Sequence, residues 1–217
     1  MYLIIAFASL VLTIASVFLI GKIENRVKKE GIDSRGSGKA LYFIIFMLLL
    51  LVNFYGVYLK FDAAKLVLLN VLLLTAVLSA YEDLKYRIIE DEIHLFSLAA
   101  GLTAYLFIGY NLKSQTAGFA AGGGLLLLIA ILTRGGMGGA DIKLMAVYGA
   151  MLGFKLTILS LLLAFVGGAV ISLLLILLRI RSRKDMIPFS PFLSLGAITA
   201  FLAGDKLIDL YIKMLLN

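Results

Sequence analysis

Two aspartates follow directly from the ends of long apolar segments, and their type and position could support chemistry. Asp83 lies in the junction 80–92, and Asp141 follows the glycine-rich stretch 135–140. Charge beside a hydrocarbon core is costly, so acidic residues at such ends are informative. Two carboxyl groups within about 3–5 Å cannot both ionise easily, so one keeps a proton. The ionised group can then take a proton from water while the neutral group polarises a peptide carbonyl. This is aspartyl-protease chemistry.

The glycines before Asp141 suit the same chemistry, because they allow sharp turns and close approach of an extended substrate. They are Gly135, Gly136, Gly138 and Gly139. A simpler interpretation stays open at this stage. Asp83 could pair with Arg87 one helical turn later. Asp141 could cap the following helix, and the glycines could form an ordinary helix-ending turn.

The composition indicates which elements must position these residues. The chain has 217 residues, of which 62% are hydrophobic and 15% charged, and its mean hydropathy is +1.07. A soluble domain carries about a quarter charged residues, and a disordered chain is far more polar. The sequence therefore predicts an all-α polytopic membrane protein embedded in a lipid bilayer.

The residues that are rare or absent exclude several kinds of site. With no cysteine and one histidine, the sequence offers no disulfide, no thiolate nucleophile, no cysteine-based metal site and no multi-histidine site. We therefore expect no cofactor and no metal. In a membrane chain, a net charge of +7 indicates cytoplasmic loops beside anionic lipid, and no nucleic-acid partner is expected.

About eight transmembrane helices are expected, and 142–154 is the shortest segment. That segment could also be a half-helix or a continuation of the one after it. The segments are 2–21, 40–59, 65–82, 92–110, 117–133, 142–154, 155–179 and 191–214. Alternate loops hold 14 of the 20 basic residues, which predicts that both termini lie outside. This orientation places Asp83 and Asp141 at the cytoplasmic face of the cell membrane, where they could converge.

Three blocks of the sequence resemble the prepilin peptidase (type IV leader peptidase) family of GxGD-type intramembrane aspartyl proteases. Residues 83–91 resemble its first-aspartate block. Residues 136–146, with Gly149 and Gly153, resemble its second. Residues 187–193 with Gly196 resemble its Pro-Phe-Gly-Pro-Phe-Leu block.

The resemblance implies the site and the substrate. Asp83 and Asp141 would form the catalytic dyad, supported by a loop of Gly136, Gly138, Gly139 and Ala140. Alanine replaces the family's glycine at position 140, and this is tolerated without strain only if its φ is negative. Substrates would be type IV prepilins or pseudopilins, which carry a short basic leader cleaved at the cytoplasmic face.

The resemblance also implies a division of the chain. Residues 1–64 would form two helices with a short basic loop, and residues 65–217 a six-helix peptidase core. The family's cysteine-containing region, associated with methylation of the new N-terminus, has no counterpart in these residues, so methyltransferase activity is not expected.

Other polar residues receive secondary predictions. Glu82, Glu90, Asp91 and Glu92 are expected to form a solvated acidic edge that could meet a basic leader. Lys143 could tune Asp141 or reach the lipid interface. His94 is expected to make a polar contact. Tyrosines 81, 86, 105, 110 and 148 are expected to be interfacial anchors.

Two other function classes fit the same residues. A small proton- or cation-coupled transporter could use Asp83 and Asp141, although both are expected at the cytoplasmic face and no inverted repeat is visible. A catalytically inactive relative that keeps the fold is the third possibility.

Overall fold

The structure, a computed structural model, describes residues 21–22, 38–58, 61–108, 111–182 and 185–216. Nearly all of the predicted first segment, 2–21, and most of the basic loop after it lie outside these residues. The described part of the chain is helical and contains no strand. Its helices are α1 (Gly38–Tyr58), α2 (Ala63–Tyr86), α3 (Asp91–Ile108), α4 (Leu112–Leu132), α5 (Gly139–Leu177) and α6 (Ser190–Leu216).

Four of the helices in the described ranges are long and apolar enough to cross a bilayer. They comprise Lys65–Tyr86, Leu112–Leu132, Gly139–Leu177 and Ser190–Leu216. The prediction of an all-α membrane protein is therefore confirmed. The count of eight crossings and the location of the termini stay predictions.

Helix α5 contains the segment predicted as 142–154 and all but the last two residues of the segment predicted as 155–179. Its 39 residues would extend nearly 60 Å at about 1.5 Å per residue, roughly twice the thickness of a hydrocarbon core. The helical path breaks at Gly153, whose φ is +74°. The Phe154 N–H donates to the Ser114 hydroxyl (3.3 Å), and the Thr157 hydroxyl donates to the Gly153 carbonyl (2.6 Å). The polar groups freed by the break are thus partly satisfied.

The chain divides into two compact units, and the predicted division after residue 64 stays a prediction. The first unit comprises residues up to 78 together with 90–110. Within it, α1 and α2 are joined by reciprocal amide hydrogen bonds between Asn53 and Asn70, at 3.1 and 3.0 Å. The Thr75 hydroxyl donates to the Ser97 hydroxyl at 2.6 Å.

The second unit comprises residues 79–89 and 111–217, and α5 is its central helix. Residues 144–153 of α5 are all buried. Helix α4 approaches α5 through Gly118 and Gly122, because added Cβ atoms there would overlap the backbone of Gly149 and Met145. Glycines four residues apart permit this close backbone contact between apolar helices.

Tyr148 lies in the buried stretch of α5, with no exposed surface. Its prediction as an interfacial anchor is therefore wrong, because α5 turns this face toward the interior of the unit. The side chains of Tyr105 and Tyr110 lie outside the described residues.

Candidate active site

The last turn of α2 carries Asp83, and the chain leaves the helix immediately afterwards. Arg87 adopts a left-handed conformation with φ +58°, and its N–H donates to the carbonyls of Glu82 and Asp83 at 3.1 Å. These bonds satisfy carbonyls that the helix end would otherwise leave open. Ile88 and Ile89 follow this turn, and both line the same cleft as Asp83.

The glycine-rich loop between α4 and α5 leads directly to Asp141. Gly135 has φ +97°, and its N–H closes the end of α4 by donating to the Ala130 carbonyl at 2.8 Å. The Gly136 N–H donates to the Thr133 hydroxyl at 3.0 Å. Gly138 then extends the chain (φ −67°, ψ 139°) immediately before the first residue of α5.

Asp141 lies in the first turn of α5, while the capping position belongs to Gly138. Asp141 is therefore not the cap of this helix, although negative charge in the first turn suits the helix dipole. Ala140 also lies inside α5 and is absent from the residues with positive φ. An alanine therefore fits at this position without backbone strain.

The start of α6 holds Asp83 in place. The backbone N–H of Ser190 donates to Oδ2 of Asp83 at 3.0 Å. The Arg87 guanidinium donates to the Met186 carbonyl at 3.1 Å, which ties the end of α2 to the segment before α6. Among the described residues, Arg87 forms no ion pair with Asp83 within 4 Å, so the pairing considered from sequence is not observed.

These elements enclose one cleft of about 830 Å³, and both Asp83 and Asp141 line it. The two carboxyl groups are close enough to interact electrostatically. The remaining lining residues come from the end of α2, the glycine loop and the segment before α6. They are Arg87, Ile88, Ile89, Gly135, Gly136, Met137, Gly138, Gly139, Ala140, Asp185, Met186, Ile187, Pro188 and Phe189.

Asp185 is a third carboxylate on the cleft, and sequence reasoning missed it. It lies in the loop before α6 and accepts a hydrogen bond from the Ser182 N–H at 2.8 Å. That bond lowers the pKa of this exposed carboxyl group, so it stays ionised at neutral pH. In the sequence, Asp185 follows four basic residues in the range 179–184 and resembles ordinary loop charge.

The other charged and polar residues near the two junctions differ in their exposure to solvent. Glu82 has 1% exposed surface, so its assignment to a solvated acidic edge is wrong. Asp91 is exposed, Glu90 is partly exposed, and Lys143 is exposed in the first turn of α5. None of these four residues lines the cleft. His94 is buried, and its Nδ1 lies 3.8 Å from the Asp91 carboxylate, as expected of a polar contact.

No cluster of three or more histidine, cysteine or acidic side chains that could hold a metal occurs in the part of the chain that the structure describes. The cleft instead offers two half-buried carboxyl groups, a loop nearly free of side chains and one exposed carboxylate.

Residues 68–173 match the type IV leader peptidase family, and this range contains both aspartates and the glycine loop. The chain belongs to the type IV leader peptidase family. A prepilin leader peptidase/N-methyltransferase of Bacillus subtilis (strain 168) is 35% identical over 145 residues, which cover 65% of this chain and 57% of the relative. The protein of that name from Aeromonas salmonicida (strain A449) is 35% identical over 156 residues, covering 68% and 54%. Its namesake from Legionella pneumophila is 31% identical over 136 residues, covering 60% and 47%.

The chain spans about half the length of these relatives. No solved structure matches it. The resemblance recognised in the sequence is thus confirmed at the level of the type IV leader peptidase family. Each of the three blocks that carried the resemblance contributes residues to the same cleft.

Proposed function

We propose that this protein is a membrane-embedded aspartyl endopeptidase that removes the short basic leader from type IV prepilin-like precursors. The observation that carries the proposal is the shared cleft, in which Asp83 and Asp141 lie beside a glycine loop. Membership of the type IV leader peptidase family supports the substrate class. The names of the relatives support the reaction.

In the proposed mechanism, Asp83 and Asp141 share one proton. The ionised carboxylate accepts a proton from water as the water oxygen attacks the scissile carbonyl carbon. The protonated carboxyl group donates a hydrogen bond to the carbonyl oxygen and stabilises the charge that develops there. Because a coupled pair titrates as a unit, neither aspartate is assigned as the base. The Ser190 N–H fixes the orientation of the Asp83 carboxyl group.

The glycine loop provides room for an extended substrate. A Cβ added at Gly139 would meet no atom within 4 Å, and all four loop glycines are exposed. The loop therefore presents backbone rather than side chains to a peptide lying beside Asp141.

The proposed topology has eight crossings, with both termini outside and the cleft at the cytoplasmic face. The segments 87–89, 135–138 and 185–189 line the cleft, and they belong to three of the four loops expected on that face. The break at Gly153 supports two crossings within α5. We also propose that the reaction ends at cleavage. The relatives' names include N-methyltransferase, but the cysteine pairs associated with methylation do not occur in these 217 residues.

The experiment that tests the function measures leader cleavage and proton transport in the same preparation. The protein is reconstituted in vesicles containing a pH-sensitive dye, and a prepilin with its leader is added. We expect leader loss without proton flux, and a mature product whose new N-terminus stays unmethylated when S-adenosylmethionine is supplied. Proton uptake without cleavage would instead support a transporter, and a methylated product would overturn the peptidase-only proposal.

Replacement of Asp185 by asparagine should weaken the cleavage of basic leaders. The exposed carboxylate at the cleft attracts a basic segment, and asparagine keeps the oxygen that accepts from Ser182. Because an exposed charge pair contributes about 0.2–1 kcal/mol, KM should rise by a factor of about 1.4 to 5 at low salt, with little change in kcat.

Two comparisons control this measurement. Asp209→Asn removes an exposed carboxylate that does not line the cleft and should leave KM unchanged. For a precursor whose leader has been neutralised, wild type and Asp185→Asn should have the same KM. An equal rise in KM for charged and neutral leaders would exclude electrostatic recognition by Asp185.

A further inference from the structure

Three buried hydroxyl groups meet beneath the candidate active site. The Tyr148 and Ser194 hydroxyl oxygens are 2.9 Å apart, and those of Ser79 and Ser194 are 3.4 Å apart. Ser79 and Tyr148 have no exposed surface, and Ser194 has 3%. Burying a hydroxyl in an apolar core is costly unless it is hydrogen-bonded, and the members of this cluster, here called the hydroxyl triad, bond to one another through Ser194.

Each member of the hydroxyl triad lies on a helix that has one end at or next to the cleft. Ser79 precedes Asp83 by one turn on α2, Tyr148 follows Asp141 by two turns on α5, and Ser194 follows Ser190 by one turn on α6. Residues four or seven positions apart share one helix face. The triad therefore joins the three helices whose ends carry the two aspartates and the N–H that orients one of them.

Three threonine hydroxyl groups in the second unit bond differently. Thr116, Thr133 and Thr157 each donate to a carbonyl four residues earlier in their own helix. Such bonds satisfy the hydroxyl without fixing one helix relative to another. The Tyr148–Ser194 and Ser79–Ser194 bonds instead cross between α2, α5 and α6, so their directional geometry restrains the spacing of these helices.

We propose that Ser79, Tyr148 and Ser194 are positioning residues that hold Asp83 and Asp141 at their working separation. The proposal rests on the proposed function for its catalytic consequence, but its structural part can be measured separately. None of the triad hydroxyls lines the cleft, so they act through the aspartates rather than on substrate.

The test compares Tyr148→Phe with Thr157→Val. Both variants remove one fully buried hydroxyl from α5, but the Thr157 hydroxyl bonds within its own helix. Because small displacements of catalytic groups can cost up to about 100-fold, we expect Tyr148→Phe to lower kcat roughly 10- to 100-fold. KM should stay within about twofold.

The pH dependence of kcat should also change in Tyr148→Phe, because the separation of the carboxyl groups determines how they share a proton. Thr157→Val should keep the wild-type kcat and pH profile. Ser194→Ala, which removes the hydroxyl shared by both bonds of the triad, serves if Tyr148→Phe does not fold.

A distance measurement makes the result independent of catalysis. The chain contains no cysteine, so Leu84→Cys and Lys143→Cys, at exposed positions beside the two aspartates, can be spin-labelled selectively. Double electron–electron resonance spectroscopy then measures the distance between the two spin labels. The distance distribution should be broader or displaced in Tyr148→Phe and unchanged in Thr157→Val. A wild type that does not cleave would overturn the proposed function, and the distances alone would then decide this inference. Unchanged distances in Tyr148→Phe would overturn the inference. It would also be overturned if the wild type is active and Tyr148→Phe keeps the wild-type kcat and pH profile.

Discussion

Replacement of either Asp83 or Asp141 by asparagine will lower the rate of leader cleavage by roughly 10³-fold or more. Asparagine keeps the size of the side chain but cannot accept a proton from water or share one with its neighbour. General acid–base catalysis commonly contributes 10²- to 10⁴-fold, and groups acting as a unit lose nearly their whole effect when one is removed. The measurement is single-turnover cleavage of a prepilin by purified protein in detergent.

The control for this prediction lies in the same cleft. Asp185→Asn makes an identical chemical change to a carboxylate that lines the cleft, and it should alter KM by only a few-fold. Chromatographic elution and helical content should match wild type in all three variants. If Asp83→Asn or Asp141→Asn cleaves at a wild-type rate while folded, the dyad assignment is wrong.

Gly118→Ala will destabilise the protein far more than Gly124→Ala, although both substitutions add one methyl group to α4. A Cβ on Gly118 would overlap the Gly149 carbonyl oxygen, and would lie 2.8 Å from the Gly153 carbonyl carbon. Since these are backbone atoms, the helices must separate, and overpacking of this kind costs about 1–3 kcal/mol or more. A Cβ on Gly124 would meet nothing within 4 Å.

Unfolding in mixed detergent micelles, followed by circular dichroism, measures both glycine variants. The free energy of unfolding should fall in Gly118→Ala and should not fall in Gly124→Ala, because alanine is the better helix former. Because α5 carries Asp141 and crosses α4 at this point, Gly118→Ala should also lose activity at lower temperature. Equal stability of the two variants would contradict the described contact between α4 and α5.

The candidate site residues that the sequence marks most clearly are those whose chemistry conflicts with their surroundings. Asp83 and Asp141 are acidic residues at the ends of apolar segments, and that conflict is visible without a structure. A boundary between two apolar segments was also predicted after residue 154, and the helix breaks at Gly153. The all-helical membrane class followed from composition alone.

What sequence reasoning missed depends on three-dimensional arrangement. The bond from Ser190 to Asp83 uses a backbone N–H, which every residue except proline possesses, so no side-chain signal marks it. Asp185 was hidden among basic loop residues. Tyr148 was assigned to the interface because tyrosine favours that region, but hydrogen bonding to Ser194 allows it to be buried completely.

The exposure of the Glu82 side chain could not be predicted from the residues next to it in the sequence. It stands in a run of charged residues after an apolar segment, which suggests a solvated edge. The structure extends α2 to Tyr86, and Glu82 lies on a buried face of that helix. Helix phase, rather than local composition, therefore decides its exposure.

Mass spectrometry of the products formed from a purified prepilin tests the central proposal most directly. We expect a leader peptide with a free carboxylate and a mature protein with a free amino group, whose masses together equal the precursor plus one water. Neither product should appear with Asp83→Asn or Asp141→Asn. An intact precursor after incubation with folded wild-type protein would contradict the account, as would the same two products from either variant at the wild-type rate.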